Sequence, residues 1–225
     1  MQRKILITSC NSTIGRALTT AFVKNGHYVV GTYRKNDHRL SGLNDLKHKT
    51  DRLELRKLDV TVTSDFSNLP KDIDIVVHNT GLSPQEGVSR EDILGCNATG
   101  SHNLAEWMQK EGLQKLIYLS TVSIYSEISD HISDRFVTGD DLITYSATKL
   151  LGEKIFSQSL GSGSGMIIRL PAVLDRYATR PWICRMLDKF RRNEKITIFN
   201  PEASFNSVTT TYALGNFIEV IMDNL

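Results

Sequence analysis

The residues best suited to chemistry are a tyrosine and a lysine four positions apart, in the segment Tyr145-Ser-Ala-Thr-Lys149. In a helix this spacing puts both side chains on one face. An ammonium beside a phenol favours the phenolate and lowers a phenol pKa that starts near about 10. Such a tyrosine can donate and accept a proton near neutral pH. On its own the pair more often marks an exposed helix face, so its interpretation depends on the motifs around it.

A turn of small polar residues, Thr8-Ser-Cys-Asn-Ser-Thr-Ile-Gly15, follows the first apolar run of the chain. Small side chains there let backbone N–H groups and the positive end of the next helix meet a pyrophosphate. Ser12 and Thr13 would serve equally well as the N-cap of an ordinary helix. Gly15, at a point where helix and strand must pack closely, favours the dinucleotide interpretation.

The second apolar run ends in Tyr33-Arg34-Lys35. A site that prefers NAD would have an acidic residue here to hold the ribose 2′-hydroxyl. Arg34 could instead pair with a 2′-phosphate through two parallel hydrogen bonds. We therefore expect NADP to be preferred and NAD to be possible, with a solvated surface loop as the alternative interpretation.

Short apolar runs alternate with longer stretches of helical period. Strands are predicted at Ile5–Thr8, Tyr28–Tyr33, Leu53–Val60, Ile73–His78, Lys115–Ser120 and Met166–Leu170. Helices are predicted at Ile14–Lys24, Arg90–Lys110 and Ser146–Ser159. Strands that are apolar on both faces and separated by helices predict an α/β fold with a doubly wound parallel sheet, a Rossmann sheet. Ligands bind beyond the carboxyl ends of such strands.

After Pro171 the regular alternation of strands and helices stops, and we divide the chain shortly after it, at residue 175. Residues 1–175 are expected to form the dinucleotide-binding Rossmann domain, and residues 176–225 a small, reduced substrate-binding segment. This segment is predicted to contain a helix near Pro181–Arg192, a short strand Ile196–Phe199 and a last helix from about Tyr212.

Composition excludes several classes of function. A formal net charge of +2, with the basic residues scattered, does not indicate nucleic-acid binding. Cys10, Cys96 and Cys184 are far apart, which predicts reduced thiols. With neither a signal-peptide core nor a membrane-length apolar run, we expect a cytoplasmic protein. The six histidines show no metal-ligand spacing. The sequence also shows no nucleophile–histidine–acid arrangement, so it does not indicate a hydrolase.

Seven short segments follow one another along the chain in an order that indicates a known family. They are Thr8–Gly15, Leu58–Val60, His78–Gly81, Asn97–Leu104, Leu119–Tyr125, Tyr145–Lys149 and Arg169–Val173. This set resembles the short-chain dehydrogenase/reductase superfamily, most closely its extended branch of NAD(P)-dependent sugar epimerases, dehydratases and ketoreductases. The resemblance covers about residues 3 to 175. No single motif is decisive, but seven in sequence are hard to obtain by accident.

The resemblance implies a role for each matching residue. Tyr145 is the general acid/base, and Lys149 binds the nicotinamide ribose and lowers the pKa of the tyrosine. Thr121 hydrogen-bonds the reacting oxygen, and Asn97 supports the active-site helix and a proton relay. Cofactor contacts are implied for Thr8, Ser9, Asn11, Ser12, Thr13, Ile14, Gly15, Tyr33, Arg34, Asp59, Val60, Asn79, Thr80, Gly81, Lys149, Pro171 and Val173.

The chain also departs from the family pattern. Two of the three loop glycines are replaced, by Ser9 and by Ser12 or Thr13, and Ala172 stands where a glycine is common. Side chains in the loop could crowd the pyrophosphate and weaken cofactor binding. These changes favour a rival interpretation, a non-catalytic NAD(P)-binding sensor or scaffold protein.

Within the enzyme interpretation, the sequence favours a ketoreductase acting on a sugar or nucleotide-sugar carbonyl, with an epimerase second. Dehydratases of the branch carry an acidic pair where this chain has Thr121-Val122, which argues against dehydration. The resemblance further implies a homodimer formed through the helices that hold Asn97 and Tyr145.

Overall fold

The protein is described from a computed structural model, which covers residues 1–125, 144–160, 165–179, 181–198, 202 and 208–225. Its main sheet has six strands: β1 Lys4–Ile7, β2 Tyr28–Tyr33, β3 Leu53–Lys57, β4 Ile75–His78, β5 Leu116–Thr121 and β6 Gly165–Leu170. Every neighbouring pair is parallel, and the order across the sheet is β3-β2-β1-β4-β5-β6. The predicted doubly wound parallel sheet is therefore confirmed.

Helices cover both faces of this sheet. Their bounds are α1 Thr13–Lys24, α2 Ser41–Lys47, α3 Arg90–Leu94, α4 Gly100–Lys110, α5 Thr144–Ser159, α6 Trp182–Arg191 and α7 Thr211–Met222. Alternate residues of one strand belong to different cores, since Ile5 and Ile7 pack with α1 while Leu6 packs with α4. This period of two, in strands that are apolar throughout, is what a sheet covered on both sides requires.

The order of the strands creates the crevice in which a ligand can bind. The chain moves outward from β1 to β2 and β3, then returns to β4 on the other side of β1. Helix α1, which follows β1, and helix α4, which follows β4, consequently cover opposite faces of the sheet. In doubly wound sheets this switch point is where ligands bind.

Two predicted elements have different bounds. The helix predicted over Arg90–Lys110 is interrupted by one π-helical turn, Gly95–Thr99, between α3 and α4. The strand predicted to run to Val60 ends at Lys57, because the Asp59 carboxylate accepts hydrogen bonds from Thr61 and folds the chain into a turn.

The C-terminal region differs most from the prediction. A second, two-stranded parallel sheet pairs β7 Ala172–Leu174 with β8 Val208–Thr210, and neither strand was predicted. The predicted strand Ile196–Phe199 is wrong for residues 196–198, which are irregular, since no described strand pairs with them. Phe199 lies outside the described residues. The helices predicted at the end of the chain are present as α6 and α7.

Helix α7 belongs to the core of the main sheet. Leu214 and Ile218 are buried with residues of α1 and β1, and the His27 ring lies 2.5 Å from a Glu219 oxygen. The three cysteines are free thiols. No helix among the described residues is long and apolar enough to cross a membrane, and none of their acidic, histidine or cysteine side chains cluster as metal ligands.

Candidate active site

The loop between β1 and α1 has a conformation that glycine normally provides. Ser9 has a φ of 51°, in the left-handed region, and its carbonyl accepts a hydrogen bond from Ser12 N at 3.1 Å. A Cβ atom added to Gly15 would lie 2.2 Å from the Ser9 carbonyl oxygen. Gly15 is therefore required by the close approach of this loop, as the sequence predicted.

The serines in this loop attach it to the end of β4. The Ser9 hydroxyl is 2.8 Å from the Thr80 hydroxyl. The Ser12 hydroxyl accepts from Gly15 N at 3.0 Å and from Asn79 Nδ2 at 2.8 Å. Hydroxyl groups thus hold this turn and fix its position against the neighbouring loop.

The loop leaves backbone donors free for an anion. Within the described part of the chain, no acceptor meets the backbone N–H of Asn11, Thr13 or Ile14. The first turn of α1 contains no acidic residue, so its positive end is not neutralised. Adjacent free N–H groups at a helix start fit the pyrophosphate of a dinucleotide.

The ends of β2 and β3 form the side of the crevice where an adenosine would lie. Tyr33 is the last residue of β2, and the exposed Arg34 follows it. The Asn11 side chain reaches the Lys35 carbonyl oxygen at 3.4 Å, which joins the first two loops. Asp59 starts the turn after β3. These positions follow neighbouring parallel strands at one edge of the sheet.

Lys149 is buried on α5, with its ammonium 4.0 Å from the centre of the Tyr118 ring. A Cβ atom on Gly81 would lie 3.6 Å from Lys149 Nζ, so the loop after β4 passes directly over the lysine. Burial lowers the pKa of Lys149 to about 7. Among the described residues no acceptor hydrogen-bonds Nζ, so a ribose hydroxyl would meet an unused donor.

Asn97 lies in the π-helical turn and connects three segments. Its Oδ1 accepts from Leu82 N at 2.7 Å, and its Nδ2 donates to Leu82 O and to Thr148 Oγ1, both at 3.0 Å. Thr148 in turn donates to the Tyr145 carbonyl at 2.9 Å. Asn97 therefore ties the loop after β4 to the first turn of α5, and π-helical turns are frequent at functional sites.

The remaining predicted residues lie at the same edge of the sheet. Thr121 ends β5, where its hydroxyl accepts from Ser123 N at 3.1 Å, and α5 packs against the turn that follows. Tyr145 is half-buried in the first turn of α5. Pro171 and Val173 lie at and after the end of β6, with Val173 packed on the core.

One buried cluster that fixes α5 was not predicted. Arg169 of β6 donates to both carboxylate oxygens of Glu153, at 3.0 Å and 2.8 Å, and Ser120 of β5 donates to the same carboxylate at 2.5 Å. The Glu153 carboxylate is buried and the Arg169 guanidinium partly exposed, and this charge-assisted pair links α5 to β6. The available signal was that Glu153 follows Lys149 by four residues and so shares its helix face.

Taken together, the sheet order, the loop at Gly15 and the helix carrying Tyr145 and Lys149 define a Rossmann-type α/β protein of the extended short-chain dehydrogenase/reductase type. Residues 5–205 match the NAD dependent epimerase/dehydratase family, and the chain belongs to that family.

Known proteins related in sequence include Protein CapI of Staphylococcus aureus, 30% identical over 164 residues, or 67% of this chain and 47% of CapI. UDP-glucuronate 4-epimerase of Thermodesulfobacterium geofontis is 30% identical over 156 residues, or 64% of this chain and 47% of that protein. The NADP-dependent 3-hydroxy acid dehydrogenase YdfG of Salmonella typhi is 32% identical over 98 residues, 39% of each chain. The chain spans about half the length of the first two relatives.

Solved structures show the same fold. The Bordetella bronchiseptica enzyme WbmH, in complex with NAD+, superposes with a TM-score of 0.82 at 16% identity, covering 100% of this chain and 73% of that one. UDP-glucuronic acid 4-epimerase from Bacillus cereus, in complex with NAD, gives 0.79 at 24% identity, covering 98% and 74%. At these identities the likeness establishes the Rossmann fold.

Proposed function

We propose that the chain carries the dinucleotide-binding and catalytic residues of an NAD(P)-dependent epimerase acting on a nucleotide sugar. The observation that carries this proposal is the buried Lys149 ammonium, held beneath the loop after β4 on the helix of Tyr145. The relatives favour epimerisation over the ketoreductase activity that the sequence placed first, since they include a UDP-glucuronate 4-epimerase. Residues 176–225 would contribute part of the sugar-binding surface.

The residues of the crevice fit a dinucleotide. The free N–H groups of Thr13 and Ile14 would hold the pyrophosphate, and Lys149 would hold the nicotinamide ribose. A bound nicotinamide supplies the capacity to take a hydride from the sugar and return it to the opposite face. The protein supplies placement and an acid–base group.

Tyr145 would act as that acid–base group. It would remove the proton from a sugar hydroxyl as the carbon is oxidised and return it when the ketone is reduced. A protonated Lys149 favours the Tyr145 phenolate by its charge. Thr121 would orient the reacting oxygen, and Asn97 would hold the start of α5 in place through Thr148.

The choice between NAD and NADP depends on Arg34 in this proposal. Arg34 is exposed at the end of β2, in the position from which a guanidinium can pair with a 2′-phosphate. YdfG, a relative over 98 residues, is NADP-dependent, whereas the solved relatives WbmH and the Bacillus cereus epimerase contain NAD. Arg34→Ala should weaken NADP binding about tenfold and leave NAD binding unchanged. Equal losses for the two cofactors would overturn the preference.

Incubation with UDP-glucuronic acid and NAD or NADP, followed by anion-exchange chromatography of the products, tests the activity. An epimerase yields the C4 epimer and leaves the oxidation state of the nicotinamide unchanged over a full turnover. Net consumption of NADPH with a keto-sugar would instead assign a ketoreductase. Tyr145→Phe should bind the cofactor and lose most turnover. Cofactor binding without conversion of any nucleotide sugar would favour the sensor or scaffold.

Pairing of two copies is part of the same proposal. Leu94 on α3 and Leu151 on α5 are large apolar side chains that are about half exposed, on the helices the resemblance assigns to dimerisation. Light scattering coupled to size exclusion measures the mass directly. A monomer at micromolar concentration would contradict pairing and leave the epimerase proposal intact.

A further inference from the structure

His78, the last residue of β4, is a fully buried imidazole that the mechanism above does not use. Its ring stacks on the Tyr118 ring, with centroids 5.5 Å apart and planes 18° apart. Its Nδ1 lies 2.9 Å from Thr8 Oγ1, in the loop of residues 8–12 between β1 and α1, here called the phosphate loop, and its Nε2 lies 3.3 Å from Ser101 Oγ, in α4. The Ser101 hydroxyl also contacts the Asn97 carbonyl oxygen at 2.6 Å.

These contacts form a chain of hydrogen bonds from Thr8 through His78 and Ser101 to the Asn97 carbonyl. The groups at its two ends determine which atom donates in each hydrogen bond. Ser101 must donate to the Asn97 carbonyl, because a carbonyl oxygen has no proton to give. Ser101 Oγ therefore accepts from His78 Nε2–H, which leaves Nδ1 without a proton. At the other end Thr8 Oγ1 already accepts from the backbone N–H groups of Asn79 and Thr80, both at 3.0 Å, so its own proton is free to go to Nδ1.

This arrangement requires a neutral imidazole, and the surroundings favour one. Burial, and after it the charge of Lys149, lowers the pKa of His78 well below its ordinary value. The Glu153 carboxylate, further along α5, is paired with Arg169. Among the described residues, the titratable groups that act on or contact the ring are Lys149 on α5 and Tyr118 on β5, and burial raises the pKa of the Tyr118 phenol. Neither supplies a negative charge that would favour the imidazolium.

We propose that His78 is a positioning residue that fixes the π-helical turn carrying Asn97 relative to the phosphate loop at Thr8. Its two hydrogen bonds join Thr8, in the loop that would hold the pyrophosphate, to Ser101 in α4, and the Ser101 hydroxyl then donates to the Asn97 carbonyl of the turn. From Asn97 the connection continues through Thr148 to the carbonyl of Tyr145. The catalytic consequence rests on the proposed function, whereas the hydrogen-bond chain itself does not.

The hydrogen-bond chain through His78 can be tested without an activity assay, by nitrogen NMR of the histidine rings in the intact, unliganded protein. The expected signature is a neutral ring protonated on Nε2 that does not titrate between about pH 5 and 8, the interval in which an ordinary histidine does. The other tautomer, or protonation of His78 within this interval, would overturn the proposal.

Kinetics separate positioning from simple structural support. His78→Phe keeps a ring of similar size and removes both hydrogen bonds, whereas His78→Gln keeps a donor that can reach Ser101. We expect His78→Phe to lower kcat roughly tenfold to a hundredfold with the KM of the nucleotide sugar unchanged. His78→Gln should recover part of that loss.

Circular dichroism and thermal unfolding establish that each variant is folded. A folded His78→Phe variant with wild-type kcat would overturn the proposal. A change in KM with kcat unaltered would overturn it as well. If the wild-type protein converts no nucleotide sugar, the proposed function fails, and the tautomer of His78 alone decides the inference.

Discussion

Ser9 carries a backbone conformation that is unfavourable for any residue except glycine. Its φ of 51° costs about 1 to 2 kcal/mol relative to an ordinary backbone conformation. The hydrogen bond between the Ser9 and Thr80 hydroxyls contributes about 1 kcal/mol in the opposite direction. The loop is therefore held by a link between β1 and β4 that a glycine-rich loop cannot form.

Substitution of Ser9 separates these two contributions. Ser9→Ala loses the hydrogen bond and keeps the strained φ, so it should lower the free energy of unfolding by about 1 kcal/mol. Ser9→Gly loses the same bond but relieves the strain, so it should remain closer to wild type. Urea unfolding of both variants measures the difference. A Ser9→Ala protein as stable as Ser9→Gly would show that the strain is absent.

Lys149 gives the protein a predictable dependence of stability on pH. Its folded-state pKa of about 7 lies below the unfolded value of about 10.4. Between these two pH values the unfolded chain therefore binds more protons than the folded one. Stability should therefore rise with pH through this window by up to about 1.4 kcal/mol per pH unit. Below the window the full cost of burying the ammonium is present.

Lys149→Met should remove that cost. The variant is expected to be more stable than wild type at about pH 6 and to lose the rise towards about pH 9, while turnover is abolished. The exposed Lys154 on the same helix provides the control, since Lys154→Met should keep the wild-type slope. Identical slopes for wild type and Lys149→Met, measured by urea unfolding, would contradict a buried ammonium.

At this scale the sequence could place residues by motif but could not show their partners. The Tyr145–Lys149 spacing and Gly15 were sufficient to propose a site at the carboxyl ends of the strands. His78 was visible only as a motif member, because its contacts to Thr8 and Ser101 join segments far apart in the chain. The contribution of Glu153 depends in the same way on its distant partner Arg169.

The π-helical turn Gly95–Thr99 is the element that aligns the site. An extra residue in a helical turn rotates the side chains that follow it, and here the turn directs Asn97 towards Leu82 and Thr148. One face of this region thereby supports both the loop after β4 and the start of α5. Gly100, just after the turn, lets Val60 approach, since an added Cβ would lie 2.5 Å from Val60 Cγ2.

Removing one hydroxyl tests this alignment. Thr148→Val has nearly the same shape but cannot bridge Asn97 and the Tyr145 carbonyl, so it should lower turnover about tenfold and cost about 1 to 3 kcal/mol of stability. Thr148→Ser keeps the hydroxyl and should resemble wild type in both respects. Steady-state kinetics and urea unfolding measure the two effects. Equal turnover in the two variants would exclude this bridge from catalysis.

Hydrophobic periodicity predicted where the helices lie but not the π turn within them. The π turn shifts the helical register of the buried side chains by a single residue. Over a long helix, a hydrophobic pattern of 3.6 residues per turn still fits after such a shift, so the pattern does not reveal it. The same limit explains strand ends. Leu58 and Val60 are buried below the sheet edge and have the apolar character of strand residues, although a turn at Asp59 has already ended β3.

For the whole molecule, the C-terminal helix is part of the framework that holds the crevice. Ile218 of α7 is fully buried in the core shared by β1 and α1, whereas its neighbour Phe217 is 53% exposed. Glu219 adds polar contacts to Asn25 and His27 at the end of α1. Stability of the six-stranded sheet should therefore depend on residues 211–222, far along the chain from β1.

Two adjacent substitutions measure that dependence. Ile218→Ala should lower the free energy of unfolding by about 2 to 5 kcal/mol, because it leaves a cavity in the core. Phe217→Ala should cost less than about 1 kcal/mol, since much of that side chain stays in water. Similar costs for both, in one urea series, would mean that α7 is not packed on the sheet.

The parallel sheet was predictable because its apolar strands alternate with helices along the chain. The short pair β7 and β8 was not, since two three-residue strands from distant segments carry no period of their own. The six strands of the main sheet all lie between residues 4 and 170, and α7 supports β1 from outside that range.

The central claim is that a dinucleotide binds between the ends of β1 and β4, above Gly15 and Lys149. Calorimetric titration of the folded chain with NAD and with NADP tests it most directly, with Gly15→Val as the matched variant whose side chain would meet the Ser9 carbonyl. Saturable binding of one equivalent by the wild type, lost in a folded Gly15→Val protein, is the predicted result. A folded wild-type protein that binds neither dinucleotide, or a variant that binds as well as wild type, would contradict the claim.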